Sequence, residues 1–284
     1  MKRIMALLIS TLLLTGSLAC VVCGWPGVYG SGHVVEEERE VSGFTGVELA
    51  TFGNLYVEVG DEEKLRIEAE DSLIQYFEVG VYEGVLKIAS RPGVSLRTTR
   101  PINFYLTVKE LDTIVLSGSG DIKAPNLEAE RFSVTISGSG DIEMGNLDAD
   151  EVEIRISGSG NLDVGGSEAA EQGITINGSG DVKIGNLDAG ALEAQISGSG
   201  NLDILGGQVE EQKVTISGSG DYEARHLESV EADVSVNSSG STTVQVEDHI
   251  EVTISGSGDV YYVGSPTVEQ SVTGSGDIVQ IGGE

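Results

Sequence analysis

Apolar and polar positions alternate with period two along most of this chain. Phe132-Ser133-Val134-Thr135-Ile136, Ile142-Glu143-Met144 and Val252-Thr253-Ile254 each put apolar side chains on one side and polar ones on the other. That period, carried by β-branched residues, predicts strands, while helix-period stretches are almost absent. A repeated turn punctuates the strands. Ser117-Gly118-Ser119-Gly120 recurs with its last Gly at 140, 160, 180, 200, 220, 240, 258 and 276, a step of 20 residues that shortens to 18 at the end. The residue that follows is a turn former each time: Asp121, Asp141, Asn161, Asp181, Asn201, Asp221, Ser241, Asp259 and Asp277.

A fixed period of this length is the mark of a solenoid, in which each repeat buries its apolar side against its neighbours. The pattern predicts an all-β fold, a parallel β-helix with coils of about 18–20 residues, right-handed by the crossover rule. Phe132, Val134, Ile136, Ile142, Met144 and Leu147 are expected to point inward from one coil, with their equivalents stacked at the strand spacing of about 4.8 Å. The turn glycines are expected to supply backbone angles closed to other residues and, having no side chain, to let turns stack closely. Residues 141–180 and 181–220 also match over Gly145-Asn146-Leu147-Asp148-Ala149 and Gly185-Asn186-Leu187-Asp188-Ala189, which points to duplication of a two-coil block.

The first third has another texture. Leu55-Tyr56-Val57-Glu58-Val59, Lys64-Leu65-Arg66-Ile67-Glu68-Ala69 and Val85-Leu86-Lys87-Ile88 read as strands joined by acidic turns. Residues 36–110 are therefore expected to form irregular opening coils or an antiparallel cap, and residues 111–284 the regular solenoid. A fainter copy of the repeat at Val47-Glu48-Leu49-Ala50-Thr51-Phe52-Gly53-Asn54 predicts that the array starts before the clean repeats.

Lys2 and Arg3 precede an apolar stretch over residues 4–14 that is too short to span a bilayer, so residues 1–19 read as a signal peptide. Ser17 and Ala19 are small at the cleavage positions, and Cys20 follows. Cys20 is the expected lipid-attachment residue, with Ser17 standing where lipoprotein signals usually carry Leu. Ordinary secretion, with Cys20 and Cys23 free or bridged, is the alternative. Residues 20–35 are expected to form an anchor and tether segment, flexible over residues 24–32. The expected location is the cell envelope, either membrane-anchored or at the surface.

The formal charge of −30 repels nucleic acid and anionic lipid surfaces, which are set aside as partners, and attracts loosely bound divalent cations. The Asp/Asn column at the turns is the most suggestive constellation, either as turn formers accepting backbone N–H groups or as a cation ladder. Calcium nonapeptide repeats are rejected, because their period is nine. Two cysteines supply too few ligands for a zinc site, and no cofactor is expected. Arg91, Arg97 and Arg100 form a basic cluster that either pairs with local acids or docks an acidic glycan or phosphate. His33, His226 and His249 are scattered, and no nucleophile–base arrangement is present.

Glu38-Arg39-Glu40-Val41-Ser42-Gly43-Phe44-Thr45-Gly46-Val47-Glu48-Leu49, followed by Leu55-Tyr56-Val57 and Leu65-Arg66-Ile67-Glu68-Ala69-Glu70, resembles the opening of the DUF2807 family of auto-transporter adhesin head domains. The Ser-Gly-Ser-Gly-Asp repeats resemble the remainder, so the likeness runs from about Glu36 to the C-terminus. It implies a β-helical, non-catalytic envelope protein with an adhesin-like role, and brings no catalytic residues. The expected partners are envelope polymers, glycans or other surface proteins, with the membrane engaged through the lipid anchor. Two other readings are a carbohydrate-active β-helix lyase or hydrolase and a periplasmic partner of a regulatory system.

Overall fold

The computed structural model describes residues 27–282, so the signal sequence and Cys20 lie outside the described residues. From Thr113–Leu116 onward, each strand pairs in parallel with its equivalent one coil away. Thr113 lies beside Ser133 and Ser133 beside Glu153, and near the end Val252 lies beside Gln270. The fold is a parallel β-helix of about eight turns.

Each coil has three faces. In the coil that starts at Ile142, residues 142–144 form one face, residues 147–149 a second and residues 152–156 a third. Alternation breaks at residues 145–146 and 150–151, where two consecutive side chains point outward and the strand Ile142–Ile156 bends round a corner. The third corner is the Gly-Ser-Gly turn. The six residues expected to point inward are all buried, and their equivalents extend the same column from Ile114 to Ile254. Burying several aliphatic side chains per coil, at about 1.5–3 kcal/mol each, offsets the entropy of ordering the turns.

The turns stack by direct backbone bonding. Ser139 N donates to Gly118 O at 3.1 Å, Ser159 N to Gly138 O at 3.0 Å and Ser179 N to Gly158 O at 3.0 Å. A Cβ on Gly138, Gly158 or Gly178 would fall on the carbonyl oxygen of the glycine one coil below. Space alone therefore requires glycine here. None of these turn glycines is among those with positive φ, which corrects the expectation that unusual backbone angles select them.

At the N-terminal end the coils do not stack in chain order. Gly46–Ala50 lies between Val85–Ser90 and Thr113–Leu116, and Asn54–Val59 lies between Asn103–Val108 and Asp121–Ala124. The early repeat at residues 47–54 is thus the second coil, and residues 85–108 form the outermost one. Antiparallel strands close this end, Lys64–Glu70 on Asn103–Val108, Val34–Arg39 on Lys64–Glu70, and Phe77–Tyr82 on Val85–Ser90.

Strand pairing already begins inside the stretch expected to be a flexible tether. Gly27–Tyr29 pairs in parallel with Ser95–Arg97, and the chain that follows is pinned by Glu70. This inaccessible carboxylate accepts hydrogen bonds from Gly32 N at 2.6 Å, Thr99 Oγ1 at 2.6 Å, Thr99 N at 2.9 Å and Thr98 Oγ1 at 2.9 Å. A three-residue strand whose partner lies far along the chain leaves no periodic signal.

Two predictions follow from this packing. Gly138→Ala lowers the melting temperature by the equivalent of about 1–3 kcal/mol, whereas Gly173→Ala, where the nearest atom to an added Cβ is 3.9 Å away, leaves it unchanged within about 0.5 kcal/mol. Equal effects in thermal unfolding would refute the stacking explanation. The hydrogen bonds from Thr99 and its neighbours also hold the Glu70 carboxyl at about 2, against an ordinary 4.5. Because the folded value is depressed, its stabilisation is complete above pH 4.5 and is lost as pH falls towards 2. Glu70→Gln therefore melts at a lower temperature at neutral pH, and its gap from wild type narrows across that acid window; a gap independent of pH would show that the charge is not what matters.

Candidate functional site

Three surface features and one interior cluster carry the polar chemistry of the rod. The first is the turn column. Asp121 Oδ1 accepts from Asp141 N at 3.0 Å, Asp141 Oδ1 from Asn161 N at 2.8 Å, Asn161 Oδ1 from Asp181 N at 2.9 Å and Asp181 Oδ1 from Asn201 N at 2.7 Å. The series continues through Asp221 to Ser241, and Asp259 binds Asp277 N. Each side chain thus caps the backbone of the next coil rather than its own turn. Asn161 and Asn201 also donate their side-chain amides to Asp141 and Asp181, separating carboxylates that would otherwise stack at strand spacing. The column ties coils together, and one oxygen per carboxylate is already committed to that task. No group of three or more potential metal ligands occurs among the described residues.

The second feature is a groove at the corner where the coil bends between residues 149 and 152. One stretch encloses about 900 Å³ over several coils. Ala169, Ala189, Val209, Ser229 and Val246 form its floor, and Glu168, Asp188, Glu210, Glu228 and Glu247 stand along its walls. No Lys, Arg or His lines it. Nearer the N-terminal end the same corner holds a second hollow of about 770 Å³, bounded by Asp112, Glu128, Glu130, Asp148 and Asp150, with Arg131 as its one basic residue. The groove exists because two outward residues in succession turn the strand while a small residue precedes them. Periodicity that treats each coil as two strands and a turn does not reveal this third corner, although the Ala column at 129, 149, 169 and 189 is its sequence signal.

The third feature is the basic cluster, which the structure disperses around the N-terminal end. Arg91 pairs with Glu78 at 3.1 Å and lies over the Tyr76 ring. Arg97 lies over Tyr29. Arg97 and Arg100 form no ion pair among the described residues. His33 approaches Asp71 at 3.5 Å, while His226 and His249 stay apart from it on later coils. On the neighbouring coils, Lys87 bridges to Glu48, which also accepts from Ser117 Oγ at 2.6 Å. Burial pushes the Glu48 carboxyl up, but these hydrogen bonds from Lys87 and Ser117 outweigh it and hold the group below its ordinary value.

Inside the rod, Gln172 and Gln212 occupy the column filled elsewhere by Phe132, Val152 and Leu192. Gln212 Nε2 donates to Ser229 Oγ at 2.7 Å, Tyr222 OH donates to Gln212 Oε1 at 3.0 Å, and Ser229 Oγ donates to the Gln245 carbonyl at 2.8 Å. Burial pushes the Tyr222 phenol far up, so it remains a donor. Gln172 Oε1 accepts from Ser167 Oγ at 2.7 Å. This cluster was not anticipated, though two Gln residues in an apolar column are visible in the sequence. It lies beside the step where coils shorten, with pairing shifting between Ala224 and Glu231. The same region carries Ser238 in place of the first turn glycine, its Oγ buried without a partner.

The geometry agrees with what is known of similar proteins. A family model described as "Putative auto-transporter adhesin, head GIN domain" matches residues 43–205 and 168–266. No curated protein matches the chain. Among solved structures, a "putative lipid binding protein" from Parabacteroides distasonis is 22% identical, over 90% of this chain and 100% of that one, with a TM-score of 0.65. A "putative adhesin" from Parabacteroides merdae is 19% identical, over 90% and 99%, with a TM-score of 0.65. Another "putative adhesin", from Bacteroides fragilis, is 20% identical, over 90% and 100%, with a TM-score of 0.53. At such identities the structural likeness speaks to the fold alone. The family match covers both the irregular opening and the repeats, and this chain belongs to the DUF2807 family.

Proposed function

We propose that this protein is an exported, non-catalytic, adhesin-like module of the cell envelope, held at the membrane by a lipid on Cys20. Its groove binds envelope polymers, glycans or segments of other surface proteins. The observation that carries this reading is the groove itself, which runs over several coils along one corner and presents polar, mostly acidic side chains beside its floor at successive coils. An extended polymer lying along it meets the acidic walls and small floor again at each strand spacing. The carboxylates accept hydrogen bonds from hydroxyl or ammonium groups, so polyhydroxyl or cationic chains are the chemistry that fits. Weak contacts repeated along a rod gain strength by multivalency.

A carbohydrate-active enzyme of β-helical form would need two carboxylates in distinct environments, or an acid with a basic partner, converging on one bond. The walls of the larger groove hold carboxylates in file and no basic group. The adhesin description of the family, shared by structural relatives from Parabacteroides and Bacteroides, supports the adhesin-like reading. No helix among the described residues is long and apolar enough to cross a membrane; the attachment proposed at Cys20 rests on the signal-like sequence that precedes it.

Two measurements test this reading. In a native-like bacterial host, the wild type partitions with membranes and carries a diacylglyceryl mass on its Cys20 N-terminus, while Cys20→Ser lacks that mass; a soluble, unmodified wild type would refute the anchor. Combining Glu168→Gln, Asp188→Asn and Glu228→Gln reduces retention on isolated cell-wall polymers by roughly tenfold, consistent with losing several charge-assisted hydrogen bonds. Unchanged retention would refute the groove, and release of new reducing ends during incubation would favour the enzyme.

A further inference from the structure

We propose that the N-terminal end of the rod is a membrane-docking face for anionic phospholipid headgroups, with Arg97 and Arg100 at its centre and Tyr29 as its interfacial side chain. The choice of occupant rests on the anchor reading above, since Gly27, the first described residue, follows Cys20 by seven positions. Seven extended residues span at most about 25 Å, so a lipid at Cys20 keeps this end close to the bilayer.

The net charge of −30 disfavours anionic surfaces, and residues 27–110 themselves carry more acidic than basic side chains; one stretch of this end departs from that balance. Residues 84–109 contain Lys87, Arg91, Arg97, Arg100 and Lys109 and no acidic residue. Lys87 and Arg91 are paired with Glu48 and Glu78, which leaves Arg97, Arg100 and Lys109 exposed. The two arginines lie on or next to a long connection between Val85–Ser90 and Asn103–Val108, placed where the regular coils have their short glycine turn. Gly27–Tyr29, the first described strand, pairs with this connection. The entry of the chain and its unpaired arginines are therefore at the same place.

A second, independent observation points to a lipid surface. Tyr29 is 67% exposed and Tyr82 66%, the two most exposed large apolar side chains among the described residues. Tyr29 lies on Gly27–Tyr29 with the Arg97 guanidinium over its ring, whereas Tyr82 pairs with Val85 at the far end of Val85–Ser90 from the arginines, beside Glu78 and Glu83. An exposed amphipathic ring beside an arginine suits the headgroup layer, where the ring body contacts acyl chains and the hydroxyl stays wet.

The acidic solenoid does not oppose this docking strongly. At physiological ionic strength the Debye length is about 8 Å, or fewer than two strand spacings, so carboxylates on coils beyond the first two are screened from the bilayer. Of the nearby acids, Glu78 is paired with Arg91, Asp71 lies against His33 and Ser31, and Glu70 is buried in its hydrogen bonds. Glu36 and Glu38 pair with Arg66 and Lys64. Glu40, Glu58, Asp61, Glu62 and Glu83 remain as exposed acids of this end without an ion pair among the described residues. Contact by the end face stands the rod away from the membrane, with the groove directed outward.

The test uses a chain starting at Val21, which keeps every described residue and removes any contribution from a lipid on Cys20. Its single tryptophan, Trp25, lies close in sequence to Gly27 and serves as the probe. Vesicles of equal parts phosphatidylcholine and phosphatidylglycerol shift Trp25 emission to the blue and carry the protein in flotation, whereas phosphatidylcholine alone does not. The Arg97→Glu/Arg100→Glu variant binds these vesicles roughly tenfold or more weakly, and Arg97→Lys/Arg100→Lys, which keeps the charge, retains binding. Absence of binding to the anionic vesicles, or equal binding by the charge-reversed variant with an unchanged circular dichroism spectrum, overturns the proposal. Binding to a soluble acidic polysaccharide but not to vesicles overturns it in favour of a glycan. Acylation of Cys20 is read separately by mass, so failure of the anchor and failure of the docking face are distinguishable.

Discussion

The contact on which the structure depends is the short approach of one turn's backbone to the next, with an amide of one coil on the glycine carbonyl of the coil below. Where the turn carries its first and last glycine nothing larger than hydrogen fits, and Ser238 is the one place among the repeats where a side chain takes the first glycine's position. That contact fixes the vertical spacing at one corner, and the strands on all three faces then pair in register. With the spacing fixed, inward columns fill by like stacked on like, and polar residues are left to the outer rows and corners.

Stacking identical positions has an electrostatic cost that the chain meets differently at each place. In the turn column from Asp141 to Asp221, Asn161 and Asn201 stand between the acids and donate to Asp141 and Asp181, so that part of the row becomes a row of hydrogen bonds. On the face bearing Asp203 there is less relief. Burial, followed by repulsion from Asp181 and Glu223, pushes the Asp203 carboxyl above its ordinary value. Along the groove walls the acids face solvent, where water and counter-ions do the screening. Acidic stacking is therefore resolved by bonding at one corner and left open to ligands at another, which separates the column that holds the rod together from the surface available for binding.

Much of this was legible because a solenoid writes its fold into the sequence once per coil. The spacing of Ser-Gly-Ser-Gly and the alternation in residues 132–136 and 142–144 identify the coil, its buried side chains and its step. The repeat copy at residues 47–54 correctly marks a coil, but sequence order misplaces it, because the outermost coil is built from residues that come later. The strand at Gly27–Tyr29 escaped notice because its pairing is non-local and its length is too short to show alternation. The groove escaped notice because it depends on a bend rather than on a motif. The buried Gln–Tyr–Ser cluster is a third kind of omission, visible as a polar intrusion in an apolar column, though its partners come from three different coils. The basic cluster was legible as composition, but its separation into paired Arg91 and unpaired Arg97 and Arg100 depends on where Glu78 lies.

The interleaved opening has a consequence for how the protein is made. The coil at residues 46–59 is sandwiched between partners centred some forty residues and more downstream, so its first completed neighbour arrives with residue 108 and its second with residue 124. Closing that loop costs chain entropy before any pairing compensates it, whereas the regular coils need only the adjacent twenty residues. A chain delivered across a membrane with its N-terminus first thus exposes its beginning unfolded for longest. The start of the rod is closed only once a later-arriving coil has been placed outside it, so order in space and order of arrival differ at this end.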